Sequence, residues 1–392
     1  MSQSTKFKKT SEDSFFGNFL YGQIIPEDHF LVKLKELIDW DKFSDICLKW
    51  YRWSGDDGAA PYDPALILRI LFLSYLFNMS ERQIVERVNF DLTFKYFVGL
   101  GVDKKAPDHS TLSRFKDRLI IGGGKEAFDE LLREILRQAL NKGIRFGTIQ
   151  AIDATHTIAD VNTAKDAGRQ SNKDKKGDPK DPKPPRDSDA KWGNKGDREI
   201  KNKETGEKKI IPQWFYGYKA HTSINTASRL ITAIETTGGQ ASDGDYLISL
   251  VEKDNNALVL LPNRIYGADR AYDWGDNHEY LKANGFFDAI RLNDYRTKED
   301  NKYNKIWLEL KDTKEHKEGL KERYKIERNF GEEKQSHGLD RCRYLGLVKY
   351  HAQAVLTATV FNLKVVVAAI TGTTLKGYAY SGNRVRLTSL SV

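Results

Sequence analysis

At 392 residues the chain is long enough for two domains or for one large domain with appendages. Its 39% hydrophobic and 30% charged residues describe a globular protein with much charged surface, and a net charge of +8 favours a polyanionic partner. Cys47 and Cys342 have no CxxC companion and form no zinc pattern; they read as reduced thiols, with a single disulfide as the alternative, and the polar start MSQSTKFKKTSEDSFFG lacks the apolar core of a signal peptide, so a cytoplasmic location is expected.

In chain order, Leu31, Leu34, Leu37 and Ile38 recur at helical spacing within residues 24–53. Pro64 then opens an apolar run to Phe77 whose nearly all-round hydrophobicity predicts a central, buried helix. Ser80-Glu-Arg-Gln83 has the form of a capping box. A further helix starts at Pro107-Asp-His-Ser-Thr111, with Leu112, Phe115 and Leu119 as its buried stripe and Arg114, Lys116 and Arg118 expected to face outward. Several short helices with a basic last member fit a helix-turn-helix-like DNA-binding region, and equally fit a plain bundle. Gly122-Gly-Gly124 breaks the pattern before one more helix, Phe128 to Lys142.

At Gly147 the periodicity changes. GTIQAIDATHTIADV reads as a strand through Asp153, and from Lys165 to Lys209 large aliphatic residues almost vanish. Such a stretch cannot bury a core of its own and is read as an insertion or long loop. Strands are expected again at 213–224 and 229–236 as a hairpin, at 264–268 ending on Asp269, and at 287–292, with helices from Asp243 to Val251 and Trp274 to Asn284. This alternation is an α/β order around a mixed sheet. Ala352 to Ile370 is apolar enough to approach a membrane span. Lys364 inside it would cost roughly 2.5–3.5 kcal/mol at a bilayer centre, so a buried helix on the sheet is expected instead.

Three acids stand out. On a helix, Arg323, Glu327 and Lys334 fall within about 40° of one another, one carboxylate between two cations. Alone this is a solvated charged face. Asp153 and Asp269 each follow a short β-like run, where a strand end can present a side chain. Three converging carboxylates make a magnesium site, and flanking cations suit a phosphate backbone. Asp243 reads as a helix cap, Asp273 as a competitor of Asp269, His156 and His221 as hydrogen-bonded core or rim residues, and Trp214 and Trp274 as core or sheet-face residues.

Arg323-x3-Glu327-x6-Lys334, with Trp214-Phe-Tyr-Gly-Tyr-Lys-Ala-His221, Asp243 and Ala268-Asp269-Arg-Ala-Tyr272, resembles bacterial insertion-sequence DDE transposases of the insertion-sequence four/five group. Leu320 stands where that group's signature has tyrosine. The resemblance covers roughly residues 60–365. It implies an RNase H-like mixed sheet flanked by helices, preceded by an all-helical N-terminal region. The expected bounds are 1–145 for the helix-turn-helix-like region, 146–370 for the catalytic domain with a charged insertion at about 164–210, and 371–392 for a polar tail.

The implied activity is binding of transposon ends, then metal-dependent strand cleavage and transfer. Asp153, Asp269 and Glu327 would be catalytic residues and ligands of two Mg²⁺ ions, with Mn²⁺ able to substitute. Arg323, Lys334, Arg114, Lys116 and Arg118 would contact DNA. Double-stranded DNA is the implied partner, a homodimer on it the implied assembly, and the bacterial cytoplasm at the nucleoid the implied location. A nuclease without strand transfer, or a catalytically silent DNA-binding derivative, stands as the alternative.

Overall fold

The computed structural model describes residues 7–8, 10, 15–50, 60–163, 186–201, 208–257, 263–300 and 304–375. The tail expected at 371–392 falls mostly outside them. Among the described residues eight helices come first: α1 (Phe15–Ile24), α2 (Phe30–Leu37), α3 (Asp41–Trp50), α4 (Pro64–Leu76), α5 (Glu81–Phe90), α6 (Leu92–Val98), α7 (His109–Gly123) and α8 (Glu126–Asn141). Their starts follow local chemistry. Asp63 accepts a hydrogen bond from the Ala65 N–H (2.9 Å) ahead of Pro64, and Ser80 with Gln83 closes both halves of a capping box. Every residue of α4 except Arg69 is buried, as its unbroken apolar run requires.

The sheet follows, with β1 (Ile149–Ile158), β2 (Lys191–Lys201), β3 (Lys208–Asn225), β4 (Ile231–Gly238), β5 (Ile265–Ala268) and β6 (Phe287–Ile290). The second half of β3 is sandwiched between β4 and β1, antiparallel to both, while β5 and β6 continue beyond β1 in parallel. The order β4–β3–β1–β5–β6, three antiparallel strands then two parallel ones, is the RNase H-like arrangement. One face carries α9 (Leu247–Ala257) and α10 (Gly275–Ala283). The other carries α12 (Lys314–Glu322), α13 (Tyr324–His337) and α14 (Leu347–Thr371), and α11 (Lys305–Leu310) lies in the charged connection before α12.

The charged insertion is more ordered than its composition suggests. Residues 164–185 lie outside the described residues, but β2 pairs antiparallel with the first half of β3, from Lys191↔Gly217 to Lys201↔Lys208, with a bulge at Asn194/Asp197. A strand needs only a neighbour's free N–H and C=O groups, and the 18-residue β3 extends far enough to supply them. Trp192 and Trp214 stand more than half exposed on this ribbon, so Trp214 is a surface residue, as is Trp274.

Helix α14 is the one described helix long and apolar enough to span a bilayer, yet 78% of that window is buried inside the protein. It packs on β4 and on α2, α4 and α8, so helices and sheet share a single core. Two of its buried polar side chains bind neighbouring elements. Asn362 accepts from the Ile231 N–H and donates to the Ile231 carbonyl (both 2.8 Å), and Lys364 donates to Glu332 (2.5 Å).

Candidate active site beside two parallel strands

Strands β1 and β5 run in register as Ile149↔Ile265, Gln150↔Tyr266 and Ala151↔Gly267. Two residues further, Asp153 falls beside Asp269, and because side chains alternate across a sheet both carboxylates leave on the same face. That face is the one covered by α12 and α13. A Cβ on Gly267 would lie 2.8 Å from the Gly319 carbonyl, so the missing side chain lets α12 lie directly on β5 and deliver the α12–α13 junction over the two aspartates. Buried Ile152 and Ala268 anchor the two acids from the opposite face.

Each aspartate is held locally. Asp153 accepts from the Ala154 N–H, and Asp269 from the Ala271 N–H at the start of a 3₁₀ turn, Arg270–Tyr272 (both 2.8 Å). Burial, and next the charge of Asp269, push the Asp153 carboxyl up to about 7; Asp243 adds to this while Arg323 opposes it. Arg323 stands at the junction, 3.5 Å from Asp153 and 3.1 Å from Glu327. Glu327, 58% exposed, therefore joins the site through this guanidinium. Among the described residues no three His, Cys, Asp or Glu side chains are gathered tightly enough to hold one ion. The structure brings Asp153 and Asp269 together and sets Glu327 one arginine away. The donors are all carboxylate oxygens, and a buried acid forced towards neutrality by a neighbouring acid is relieved by a hard divalent cation, so the residues fit such an ion.

Around this pair lie Lys219 and Tyr272, to which the sequence alone assigns no role of their own, and Asp243 and His221, read from it as a helix cap and a core or rim histidine. Asp243, first residue of the 3₁₀ turn Asp243–Tyr246, is bound by Lys219 (2.8 Å) and lies 3.7 Å from His221. The hydroxyl of buried Tyr272 has no hydrogen-bond partner among the described residues and feels Asp153, Asp243 and Asp269, which with burial keep it protonated. His221 is fully buried, pairs with Thr237 (2.9 Å) and is held neutral, its pKa down to about 3 by burial and then by Lys219.

Asp273 is structural. It is buried against Arg296 (2.7 Å), His278 (2.9 Å) and the Asn293 N–H (2.8 Å), and His278 reaches Asp288 with its other nitrogen. Burial alone would lower the His278 pKa, but the bonds to Asp273 and Asp288 outweigh it and raise it to about 9. A raised histidine pKa adds stability that is complete below about 6.5 and is lost as pH rises through about 9. We therefore expect the melting temperature to fall between pH 7 and 10, with a shallower fall in His278→Gln; equal slopes in the two proteins would exclude this pair as the cause.

Of the expected DNA contacts, Arg323 is at the site, Lys334 is half-buried on α13, and Arg114 and Arg118 are exposed on α7. Lys116 is not. It is buried, donates to the Tyr344 hydroxyl (2.6 Å), pairs with Glu81 and lies 3.9 Å from the Tyr344 ring centre. The reason is the helical period: 112, 115, 116 and 119 form one stripe, so Lys116 shares the face of the residues it was expected to oppose.

A family model described as Transposase DDE domain matches residues 146–363, and one described as Transposase domain (DUF772) matches residues 19–118. Among solved structures, a Mos1 transposase in a paired-end complex with the left transposon end aligns over 71% of this chain and 80% of that chain, at 9% identity and a TM-score of 0.20. The first model takes in both aspartates, Glu327 and the whole described sheet, more than half of the residues. This chain belongs to the DDE transposase family.

Proposed function

We propose that the chain binds the ends of a mobile element and catalyses metal-dependent cleavage and transfer of DNA strands, with Asp153, Asp269 and Glu327 as the acidic triad. The placing of Asp153, within β1, beside Asp269, just past the end of the parallel strand β5, with Arg323 linking Asp153 to Glu327, carries this reading. A phosphodiester is shielded by negative charge and neither water nor a sugar hydroxyl is a strong nucleophile. Two divalent ions, magnesium or manganese, held by these three carboxylates would activate the attacking oxygen and stabilise the leaving one. The protein's own part is to orient the backbone: Arg323 offers a planar fork to a phosphate and Lys334 a point charge. Exposed Arg114 and Arg118 on the N-terminal helices would add duplex contacts, and two chains would bring two ends together.

The test is cleavage and joining of labelled DNA carrying the element's ends, with Mg²⁺ or Mn²⁺, by wild type and Glu327→Gln. Nicking and joining by the wild type, lost in the variant with DNA binding kept, is the expected result. Cutting without joining would make the protein a nuclease, and binding without cutting by either protein would leave it a DNA-binding protein only.

A further inference from the structure

Strand β5 stops pairing with β1 at Ala151↔Gly267, and from there to the bridge Ile158↔Arg341 no paired strand lies beside β1 on this side among the described residues. Over that stretch the two faces of the sheet are not separated by a strand, and two turns close the gap. The Asp269–Tyr272 turn leaves β5 directly, with the Tyr272 N–H donating to the Asp269 carbonyl (3.2 Å). The Asp243–Tyr246 turn is laid against it. Asn277 Nδ2 donates to both the Gly244 and the Tyr272 carbonyls (2.9 and 3.0 Å), and a Cβ on Gly244 would lie 2.7 Å from the Ala271 carbonyl.

Tyr272 fills the floor of this gap. It is fully buried, its ring belongs to the core cluster of Ile152 and Ala268, the residues just before the two aspartates, and its hydroxyl has no hydrogen-bond partner among the described residues. Burial, and then the charges of Asp153, Asp243 and Asp269 in that order, keep the hydroxyl protonated. A buried hydroxyl is costly to leave unpaired. The aspartates cannot serve one another, because ionised carboxylates only accept. Lys219 is committed to Asp243 and the Ala241 carbonyl (both 2.8 Å), and Arg323 reaches Asp153 from the face of α12 and α13. On the floor of the gap the tyrosine hydroxyl is the donor.

We infer that Tyr272 is a positioning residue of the ion site, its hydroxyl donating to one ordered water that gives its own two hydrogens to the carboxylates of Asp153 and Asp243. That arrangement supplies about the three hydrogen bonds usual for a buried water. It holds the Asp153 side chain in one orientation from the side of α9 and α10, as hydrogen bonds behind a metal ligand do. The inference rests on the proposed ion site, and Tyr272 acts through Asp153 rather than on the reacting atoms.

The full-length chain is titrated with Mn²⁺ by calorimetry, without DNA, as wild type, Tyr272→Phe and Tyr266→Phe. Tyr266 is the control, a fully buried tyrosine of the same cluster whose hydroxyl is also unpartnered among the described residues but feels Asp254. Tyr272→Phe removes one oxygen and keeps the ring. It is expected to weaken Mn²⁺ binding about tenfold or more. It should also broaden the paramagnetic resonance of the bound ion, because a loosened Asp153 offers several geometries. Tyr266→Phe should change neither. Equal Mn²⁺ affinity in wild type and Tyr272→Phe overturns the inference. An equal loss in Tyr266→Phe also overturns it, by tracing the effect to the core, and a wild type that binds no Mn²⁺ overturns it together with the ion site. Weaker binding in Tyr272→Phe alone, with no DNA cleavage by the wild type, would sink the catalytic reading and leave the role of Tyr272 standing.

Discussion

Asp153→Asn is expected to reduce metal-dependent strand cleavage by about 10³-fold or more while leaving DNA binding nearly unchanged. A divalent ion at a phosphoryl centre contributes several kcal/mol of transition-state stabilisation, and each 1.36 kcal/mol is about tenfold in rate. An amide cannot supply the charge that holds the ion, whereas DNA affinity comes from cations elsewhere. The same substitution should stabilise the fold. The Asp153 pKa is raised to about 7, by burial first and by Asp269 second. Between about pH 4 and 7 the unfolded chain gives up this proton and the native chain keeps it, so native stability falls with pH across that window and stays low above it. Asparagine escapes that loss. Urea unfolding should show an advantage of Asp153→Asn that grows from pH 4 to 7, reaching on the order of a few kcal/mol, and is flat beyond. Calorimetry with Mn²⁺ should show proton release near pH 7 in the wild type, absent from the variant. Retained cleavage in Asp153→Asn would remove this residue from the catalytic set.

What was legible in the sequence was local. Apolar runs before acids marked the strands that hold Asp153 and Asp269; the expected strand at 264–268 differs from β5 by one residue, whereas β1 continues past Asp153 to Ile158, because the facing β3 goes on pairing with it. Pro64 and the Ser80–Gln83 box were legible because each is chemistry between near neighbours. What failed depended on distant partners. Strand β2 has little aliphatic content of its own and is ordered by main-chain pairing to β3, which composition does not report. Lys116 was assigned to the surface by its charge, although its place on the stripe of Leu112, Phe115 and Leu119 was readable from spacing; only Glu81 and Tyr344, from other elements, make its burial tolerable. Asp243 was read as a helix cap and does begin the 3₁₀ turn, but its pairing with Lys219, 24 residues away, left no local signal.

The largest stability effect is expected from Asp129→Ala, because Asp129 sits where helices and sheet are joined. It lies on α8, largely buried, and one carboxylate oxygen accepts from His351 of α14 while the other accepts from Lys253 of α9 (both 2.9 Å). Lys253 also pairs with Glu235 of β4 (2.9 Å), Glu235 accepts from Lys125 (2.6 Å), and the remaining His351 nitrogen meets Thr236 (2.9 Å). Burial would raise the Asp129 pKa, but the bond and charge of His351 and then of Lys253 outweigh it and hold the carboxyl below its ordinary value. Glu235 is brought to about 2 by Lys253 and Lys125 against the same burial. Truncating Asp129 leaves a buried histidine and a partly buried ammonium short of a partner, which costs about 3–5 kcal/mol. Depressed carboxyl pKa values contribute stability above about pH 4 that is lost as pH falls towards 2, so the acid limb of the stability profile should also flatten in the variant. Urea unfolding at pH 7 and across about pH 4 to 2 measures both. A loss below about 1 kcal/mol at pH 7 would show that the joint is held by the apolar packing of α14 alone. Cleavage per folded molecule should not change, because Asp129 has no bond to Asp153, Asp269 or Glu327, and that separates a loss of fold from a loss of site.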